Sequence, residues 1–283
     1  MSQNINGRLQ ERSVVTAFGQ IYYYFHQGSR RNPTVLLLHG LSANHTTWLN
    51  TAKELIAKNY TVIAPDLRGH GKSDKTKQRD LYCWKVMSED LKLILDQEKI
   101  SKVVILGYSF GGSVAIDFAW RYSPCVGGVM LVSTNHYRPM SYLRLAWLAN
   151  IGSYFLEVMA VMLRWQNWRK YQYYHPNSAT GYWPSVRLGL KTMPISVNFW
   201  LLNMMHRLDM RSKLPGLKMP VLIVHSRHDP FLSDREIIEM SSALPKVRVI
   251  ASKNDSHFIA TKAKTEMNKL LLQFLTQYEN SDF

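Results

Sequence analysis

The sequence GYSFG at residues 107–111 follows directly on an apolar, β-branched run at residues 103–106. A run of this length that ends in glycine predicts a buried strand. The apolar side chains of residues 113–120 recur at the spacing of one helix face, which predicts a helix immediately afterwards. Ser109 therefore stands on a sharp turn between a strand and a helix, with a glycine two positions before it and another two positions after it.

The turn around Ser109 matches G-x-S-x-G, the pattern of a nucleophile elbow. Glycine suits such a turn because the backbone is strained and packs closely there. The serine also precedes a helix, whose unpaired N–H groups favour developing negative charge. A chance glycine-serine turn is the alternative, and the strand and helix on either side argue against it.

An elbow serine needs an acid and a histidine that follow it along the chain in that order. A buried strand is predicted at residues 221–224, and it runs into a polar turn that contains Asp229. A further strand, predicted at residues 247–250, is followed by His257 just before the final helix. The chain therefore offers both groups in the required order.

Two upstream loops complete the pattern. A strand predicted at residues 34–38 ends in HGLS at residues 39–42, where the glycine lets the next N–H point into a site. The sequence PDLRGHGKS at residues 65–73 is similar to the D-x-R-G-x-G-x-S loop of the α/β-hydrolase superfamily. Together, these segments resemble that superfamily over nearly the whole chain.

The resemblance implies an α/β fold with a mostly parallel central sheet, helices on both faces and an inserted helical cap. Carried over residue by residue, it implies Ser109 as the nucleophile, Asp229 as the acid and His257 as the base. The backbone N–H groups of Leu41 and Phe110 would form the oxyanion hole.

Other histidines compete for the role of base. His225 and His228 lie beside the proposed acid, but neither has the placement of His257 between a strand and a helix. A histidine in such a turn is more often a surface or turn residue. We interpret His39 and His70 as structural members of their loops rather than as proton carriers.

Other carboxylates compete for the role of acid. Asp234 is interpreted as a helix N-cap, and Asp255 as a side chain that holds its own loop by a local hydrogen bond. Some members of the superfamily take the acid from the preceding strand, here residues 129–132. Residues 133–135 follow that strand without a carboxylate, which strengthens the assignment of Asp229.

The expected secondary structure alternates strands and helices, which implies a parallel sheet covered on both faces. We expect strands at residues 14–18, 21–25, 34–38, 61–64, 103–106, 128–132, 221–224 and 247–250, and helices at residues 47–58, 83–97 and 113–120. The predicted core comprises residues 1–134 and 214–283, and the predicted cap is the insert at residues 135–213.

The insert is aromatic and basic. It contains five of the eight tryptophans, and ten Arg and Lys residues against Glu157 and Asp209. Residues 145–163 are nearly all apolar and long enough to reach across a bilayer. We interpret them instead as two cap helices that are separated near residues 150–153. The aromatic residues would form the core of the cap, and some of them, with Met140, Met159, Met162, Met204 and Met205, would line an acyl pocket.

The formal net charge of +15 has three competing explanations. A generally basic surface is the simplest of these. The lack of a recognition motif argues against nucleic-acid binding. Peripheral contact with an anionic membrane gains weight from the alternating basic and aromatic residues at 164–171.

The amino terminus lacks the basic-then-apolar layout of a signal peptide, and the two cysteines, Cys83 and Cys125, indicate free thiols in a reducing compartment. The sequence thus favours a cytoplasmic location, with peripheral contact at the inner membrane surface as the further hypothesis. It does not indicate an oligomeric state.

We expect a serine hydrolase that cleaves small-molecule esters with an apolar acyl group and forms an acyl-enzyme on Ser109. This chemistry requires no metal and no organic cofactor. A serine argues against the dehalogenase and epoxide-hydrolase branches, which resemble this fold but place aspartate at the elbow. An acyltransferase or thioesterase that uses the same residues stays open, as does a ligand-binding or receptor protein with little turnover.

Overall fold

A computed structural model describes residues 9–139, 146–163, 183–184, 187 and 191–279; for residues 146–151 and 279 it describes only the secondary structure. The basic and aromatic stretch at residues 164–171, which includes Arg164, Arg169 and Lys170, lies outside the described residues, as does Met140.

Eight strands form one sheet in the order β1-β2-β4-β3-β5-β6-β7-β8. Strands β3 to β8 run parallel to one another, whereas β1 pairs antiparallel with β2 and β2 pairs antiparallel with β4. The strands are β1 (Gln10–Thr16), β2 (Gly19–His26), β3 (Thr34–Leu38), β4 (Thr61–Pro65), β5 (Val103–Tyr108), β6 (Val126–Val132), β7 (Val221–His225) and β8 (Val247–Ala251).

Helices cover the two faces of the sheet. They are α1 (Leu49–Ala57), α2 (Trp84–Gln97), α3 (Phe110–Arg121), α4 (Ala146–Leu163), α5 (Ile195–His206), α6 (Asp234–Ala243), α7 (Ile259–Lys262) and α8 (Lys264–Glu279). The mostly parallel sheet with helices on both faces is therefore confirmed. No helix in the described residues is both long enough and apolar enough to cross a bilayer.

The central strands are apolar because both of their faces are buried. In β3, Leu36 and Leu38 belong to the core cluster that includes residues of α2 and α3, whereas Val35 and Leu37 belong to the cluster with residues of α1 and α8. Successive side chains of a strand point to opposite faces, so a strand with two covered faces needs apolar residues at every position. The predicted strands agree with those observed to within a few residues.

The predicted break in the insert is wrong, because α4 runs without interruption from Ala146 to Leu163. Gly152 lies within this helix, and no atom lies within 4 Å of the position that a Cβ would take. A glycine inside a helix costs about 1 kcal/mol relative to alanine. Packing of α4 against α5 offsets this cost.

The insert lies between β6 and β7, and its two ends pair with each other. Tyr137 forms a β-bridge with Asp209, and the N–H of Met210 donates to the carbonyl of His136 at 2.8 Å. Helix α5 packs on the loop that follows β4, since Val197 and Leu201 lie next to Gly69. The division into core and cap stays a prediction.

Candidate active site

Ser109 occupies a strained backbone conformation between β5 and α3. Its φ of 50° and ψ of −115° lie outside the regions that non-glycine residues ordinarily adopt. Its N–H donates to the carbonyl of Val132 at 2.9 Å, and its own carbonyl accepts from the N–H groups of Gly112 and Ser113. These bonds hold the turn sharply, so the side chain of Ser109 stands half-buried at the carboxyl end of β5.

The glycines around Ser109 are required by close backbone contacts. A Cβ on Gly107 would lie 2.6 Å from the Cα of Gly112, and one on Gly111 would lie 2.5 Å from the carbonyl oxygen of His39. A Cβ on Gly112 would lie 1.9 Å from Oγ1 of Thr134. The elbow can therefore form only because these positions carry no side chain.

Three side chains from distant parts of the chain form one hydrogen-bonded series. The Nε2 of His257 lies 3.0 Å from the Oγ of Ser109. The Nδ1 of His257 lies 2.8 Å from Oδ2 and 3.0 Å from Oδ1 of Asp229. The side chain of Asp229 is fully buried, and that of His257 is 10% exposed. If Nδ1 donates to the carboxylate, Nε2 is left to accept the serine proton.

The carboxylate of Asp229 is fixed by its own turn. Its Oδ1 accepts the N–H of Phe231 at 2.9 Å. The carbonyl of Phe231 accepts from Nδ2 of Asn135 at 2.6 Å, and the hydroxyl of Ser113 donates to the carbonyl of Asn135 at 3.0 Å. The loop after β7 is thus tied through the loop after β6 to helix α3.

The loop that carries His257 is tied to the end of β7. The N–H of Ser252 donates to the carbonyl of His225 at 2.7 Å, and the N–H of Ser256 donates to the hydroxyl of Ser226 at 2.9 Å. The edge of the Phe231 ring meets the imidazole of His257 at a centroid distance of 4.9 Å. These contacts fix the position and the plane of the imidazole.

Tyr108 lies beside His257, with ring centroids 5.7 Å apart. Burial, together with the negative charge of Asp229, raises the pKa of the Tyr108 hydroxyl far above its ordinary value. This phenol consequently stays neutral. It forms an apolar wall beside the imidazole rather than a second acid or base.

The two candidate oxyanion donors are unengaged. Neither the N–H of Leu41 nor that of Phe110 has a hydrogen-bond acceptor within the described part of the chain. Phe110 is the first residue of α3, where an N–H has no intrahelical partner. Phe110 directly follows Ser109, and the loop that carries Leu41 begins beside the elbow, since a Cβ on Gly111 would lie 2.5 Å from the carbonyl oxygen of His39.

His39 holds the peptide that carries the Leu41 N–H. Its Nδ1 donates to the carbonyl of Gly40 at 2.8 Å, and its Nε2 accepts the N–H of Leu67 at 3.0 Å. These bonds require the neutral ring, and burial lowers the pKa of His39 to about 4. His39 therefore acts as a structural residue of its loop.

The sequence gives little indication of a buried carboxylate in the loop that follows β4. Asp66 is fully buried, and its Oδ1 accepts from both the N–H and the Nδ1 of His45, at 2.9 and 2.8 Å. Its Oδ2 accepts the N–H of Lys72 at 2.9 Å. A Cβ on Gly71 would lie 2.1 Å from this carboxylate. Asp66 thus shapes the loop at residues 65–73, and only the spacing of aspartate and glycine in that loop hints at it.

The competing residues lie elsewhere. His228 and Asp255 are both exposed and pair with each other at 3.1 Å. The prediction that Asp255 makes a local bond is thus wrong, because its partner comes from the loop after β7. The N-cap of α6 is Ser233, which forms a capping box with Glu236, so Asp234 is the first helical residue rather than the cap.

The residues expected to line an acyl pocket are dispersed. Met205 is buried in the core cluster and Met204 packs against it, whereas Met162 is 65% exposed. Trp200 stacks on Tyr82 with centroids 5.5 Å apart. Among the described residues, no group of His, Cys, Asp and Glu side chains forms a metal site.

Parts of the chain are similar in sequence to curated proteins. An uncharacterised protein of Mycobacterium tuberculosis is 41% identical over 101 residues, which cover 36% of this chain and 29% of that protein. Epoxide hydrolase 3 of Xenopus tropicalis is 31% identical over 115 residues, which cover 41% of this chain and 31% of that protein. The match therefore spans about a third of the length of these curated relatives.

Among solved structures, an esterase from Exiguobacterium antarcticum has a TM-score of 0.73 at 17% identity and matches 94% of this chain and 100% of its own. At this identity the likeness concerns the fold alone. A family model described as alpha/beta hydrolase fold matches residues 33–261. Since this match spans most of the chain and agrees with the sheet and the elbow, the chain belongs to the alpha/beta hydrolase fold family.

Proposed function

We propose that this protein is a serine hydrolase that cleaves carboxylic esters through Ser109, His257 and Asp229. The observation that carries the proposal is the pair of hydrogen bonds at the imidazole, 3.0 Å to the Oγ of Ser109 and 2.8 Å to the carboxylate of Asp229. A serine hydroxyl becomes an effective nucleophile when a base within hydrogen-bond reach takes its proton.

The chemistry proceeds in two halves. Ser109 Oγ attacks the ester carbonyl while His257 Nε2 takes the hydroxyl proton, and the same proton then passes to the departing alcohol. An acyl-enzyme remains on Ser109. Water then attacks the acyl carbon as His257 accepts its proton, and Ser109 leaves with that proton as the free acid forms. Asp229 keeps the imidazole in the reactive tautomer and stabilises its charged form.

The N–H groups of Leu41 and Phe110 would bind the oxyanion in both halves. Each is free of an acceptor in the described residues, and Phe110 adds the positive end of helix α3. Loss of one donor of this kind costs about 3 kcal/mol of transition-state stabilisation.

An apolar acyl group fits the surroundings of His257. Tyr108, Phe231 and Phe258 all place rings within 5.7 Å of the imidazole centroid. Such a lining favours hydrocarbon, because each buried CH₂ contributes about 0.8 kcal/mol. Catalytic efficiency should therefore rise from acetate esters to medium-chain esters.

The similarity to Epoxide hydrolase 3 makes epoxide hydrolysis a second candidate. Ser109 is the feature against it, because the epoxide hydrolases of this fold carry aspartate at the elbow. A direct comparison of p-nitrophenyl esters with styrene oxide separates the two, and turnover of the epoxide alone would overturn the ester proposal.

The nucleophile is tested by labelling with a fluorophosphonate. The wild-type protein should take up one label, and Ser109→Ala should take up none and lose several orders of magnitude in ester turnover. Labelling of the Ser109→Ala variant at the wild-type level would refute the assignment.

We further propose peripheral contact between the insert and an anionic membrane. Helix α4 turns Glu157 inward, where its carboxylate pairs with Arg79 at 2.6 Å and accepts from Asn203 at 3.1 Å. Tyr154, Phe155 and Met162 are exposed by 71%, 59% and 65%. An apolar helix surface of this kind suits the boundary between lipid and water, and the basic stretch at residues 164–171 follows the helix in the sequence.

A further inference from the structure

Basic residues stand shortly before most of the parallel strands. Lys102 directly precedes β5, Lys246 directly precedes β8, and Lys218 lies three residues before β7. Arg30 and Arg31 lie just before β3. Because parallel strands begin at the same edge of a sheet, these side chains share the face opposite the proposed catalytic serine.

Three of these lysines surround one depression with a volume of about 400 Å³, which we call the lysine basin. Lys102, Lys218 and Lys246 line it, together with Tyr278 and Gln277. No carboxylate is present among the described residues that line the basin. Its volume falls within the range of small-molecule sites, roughly 300–1,000 Å³.

A second depression of about 990 Å³ adjoins the basin and shares Lys102 and Tyr278 with it. It adds Arg30, Arg31 and Lys99. The two depressions are thus neighbours, and six cationic side chains line them.

Among the described residues that line the two depressions, Glu98 is the single carboxylate, and it does not neutralise them. The side chain of Glu98 is only 7% exposed and faces inward. It pairs with Arg12 at 2.5 Å and accepts from the hydroxyl of Tyr23 at 2.5 Å. Its charge is therefore already balanced by a cation that does not line either depression.

The six cations have no ion-pair partner in the described part of the chain. Some exposed cations elsewhere are paired: Lys72 lies 2.6 Å from Glu11, and Arg211 lies 2.6 Å from Asp209. Like charges that share a concave surface repel each other and raise the local potential, which attracts multiply charged anions.

We propose that the lysine basin binds a small polyphosphate anion, and that the adjoining groove takes the further phosphate groups of longer chains. Lysine ammonium groups bind phosphate as compact point charges with several donors. None of the described residues that line either depression is an exposed large apolar side chain of the kind that inserts into a membrane. Tyr278 is the one aromatic residue among the described residues that line them, which gives few stacking platforms for single-stranded nucleic acid.

Titration calorimetry of the full chain with inorganic tripolyphosphate, at about 0.15 M salt, tests this proposal. We expect saturable binding with one anion per chain, and an affinity that rises from pyrophosphate to tripolyphosphate to tetrapolyphosphate. The combined variant Lys102→Gln, Lys218→Gln and Lys246→Gln should weaken tripolyphosphate binding by at least tenfold.

A matched control removes the same charge elsewhere. Lys53, Lys77 and Lys85 are exposed and line neither depression. Their combined replacement by glutamine should leave the tripolyphosphate affinity within about twofold of wild type, because only the net charge changes. Both triple variants should keep the wild-type melting temperature and ester turnover, since none of these lysines lies in the proposed catalytic machinery.

Three results would overturn the proposal. The first is the absence of saturable tripolyphosphate binding. The second is an equal loss in both triple variants, which would mean that net charge alone attracts the anion. The third is binding of phosphatidylserine vesicles or duplex DNA that depends on the basin lysines while tripolyphosphate does not bind.

Discussion

The Nδ1 of His39 donates to the carbonyl of Gly40 at 2.8 Å, and this bond orients the peptide whose other end is the N–H of Leu41. A peptide unit is planar, so the direction of its carbonyl determines the direction of the next N–H. His39 is therefore a positioning residue for one of the two proposed oxyanion donors.

Replacement of His39 should reduce kcat with little change in KM. His39→Leu removes the donor to Gly40 and should lower kcat by about 10²-fold, because a misaimed oxyanion donor loses most of its effect. His39→Asn keeps an N–H close to the position of Nδ1 and should recover much of that loss. Steady-state kinetics on a soluble ester measures both variants. Equal impairment of the two variants would show that His39 matters only for packing.

The lowered pKa of His39, to about 4, makes stability depend on pH. Burial also lowers the pKa of His70. Between an unfolded-state value of about 6.5 and the folded-state value, the unfolded chain binds more protons, so stability falls as the pH decreases. For His39 alone, this loss is on the order of 3 kcal/mol.

Urea denaturation between pH 7 and pH 4.5 measures this dependence. His39→Asn should be less stable than wild type at pH 7, yet its free energy of unfolding should fall less steeply with decreasing pH. His70 still titrates in that variant, so some of the slope should remain. Parallel curves for the two proteins would contradict a neutral, buried His39.

The fold could be predicted because its decisive signals are local. An unbroken apolar run such as residues 34–38 indicates a strand covered on both faces, and the glycines beside Ser109 indicate the elbow. Asp229 and His257 each follow a strand, and parallel strands end at the same edge of a sheet, so both residues lie at that edge. Their convergence on Ser109 thus follows from topology, without any knowledge of side-chain contacts.

Contacts between distant loops could not be predicted in the same way. The pairing of Asp66 with His45 and that of His228 with Asp255 join segments whose relative position depends on the packed sheet. The local sequence does not show whether Asp255, two residues before His257, points toward the imidazole or away from it. Likewise, the helix through Gly152 forms because tertiary packing overrides a weak local preference.

The acid can be identified by comparing three substitutions. Asp229→Asn should lower kcat by about 10⁴-fold, because an amide beside Nδ1 stabilises the wrong imidazole tautomer. Asp255→Asn is the matched control: Asp255 is exposed and pairs only with His228 among the described contacts, so little loss is expected. Asp234→Asn should also have a small effect, since the cap of α6 is Ser233. A crippling effect of Asp255→Asn would mean that the acid has been misassigned.

Membrane contact by the insert predicts a dependence on lipid charge. Vesicles that contain phosphatidylserine should bind the protein at low salt and release it at high salt, because exposed charges are screened. Replacement of Arg164, Arg169 and Lys170 by glutamine should weaken this binding, at about 1 kcal/mol per residue. Hydrolysis of a soluble ester should be unchanged, which separates membrane contact from catalysis.

Substitutions on α4 test whether its exposed apolar side chains contribute to membrane binding. Phe155 and Met162 are 59% and 65% exposed, so replacing both with serine removes surface hydrocarbon without opening the core. This double variant should bind anionic vesicles more weakly, because fewer apolar groups enter the lipid boundary. Ile238 on α6 is also 65% exposed, and Ile238→Ser is therefore the matched control that should bind as wild type does. Co-sedimentation with anionic and with neutral vesicles measures all three proteins. Equal binding to both vesicle types, binding to neither, or an equal loss in the Ile238→Ser control would reduce the exposed face of α4 to ordinary surface.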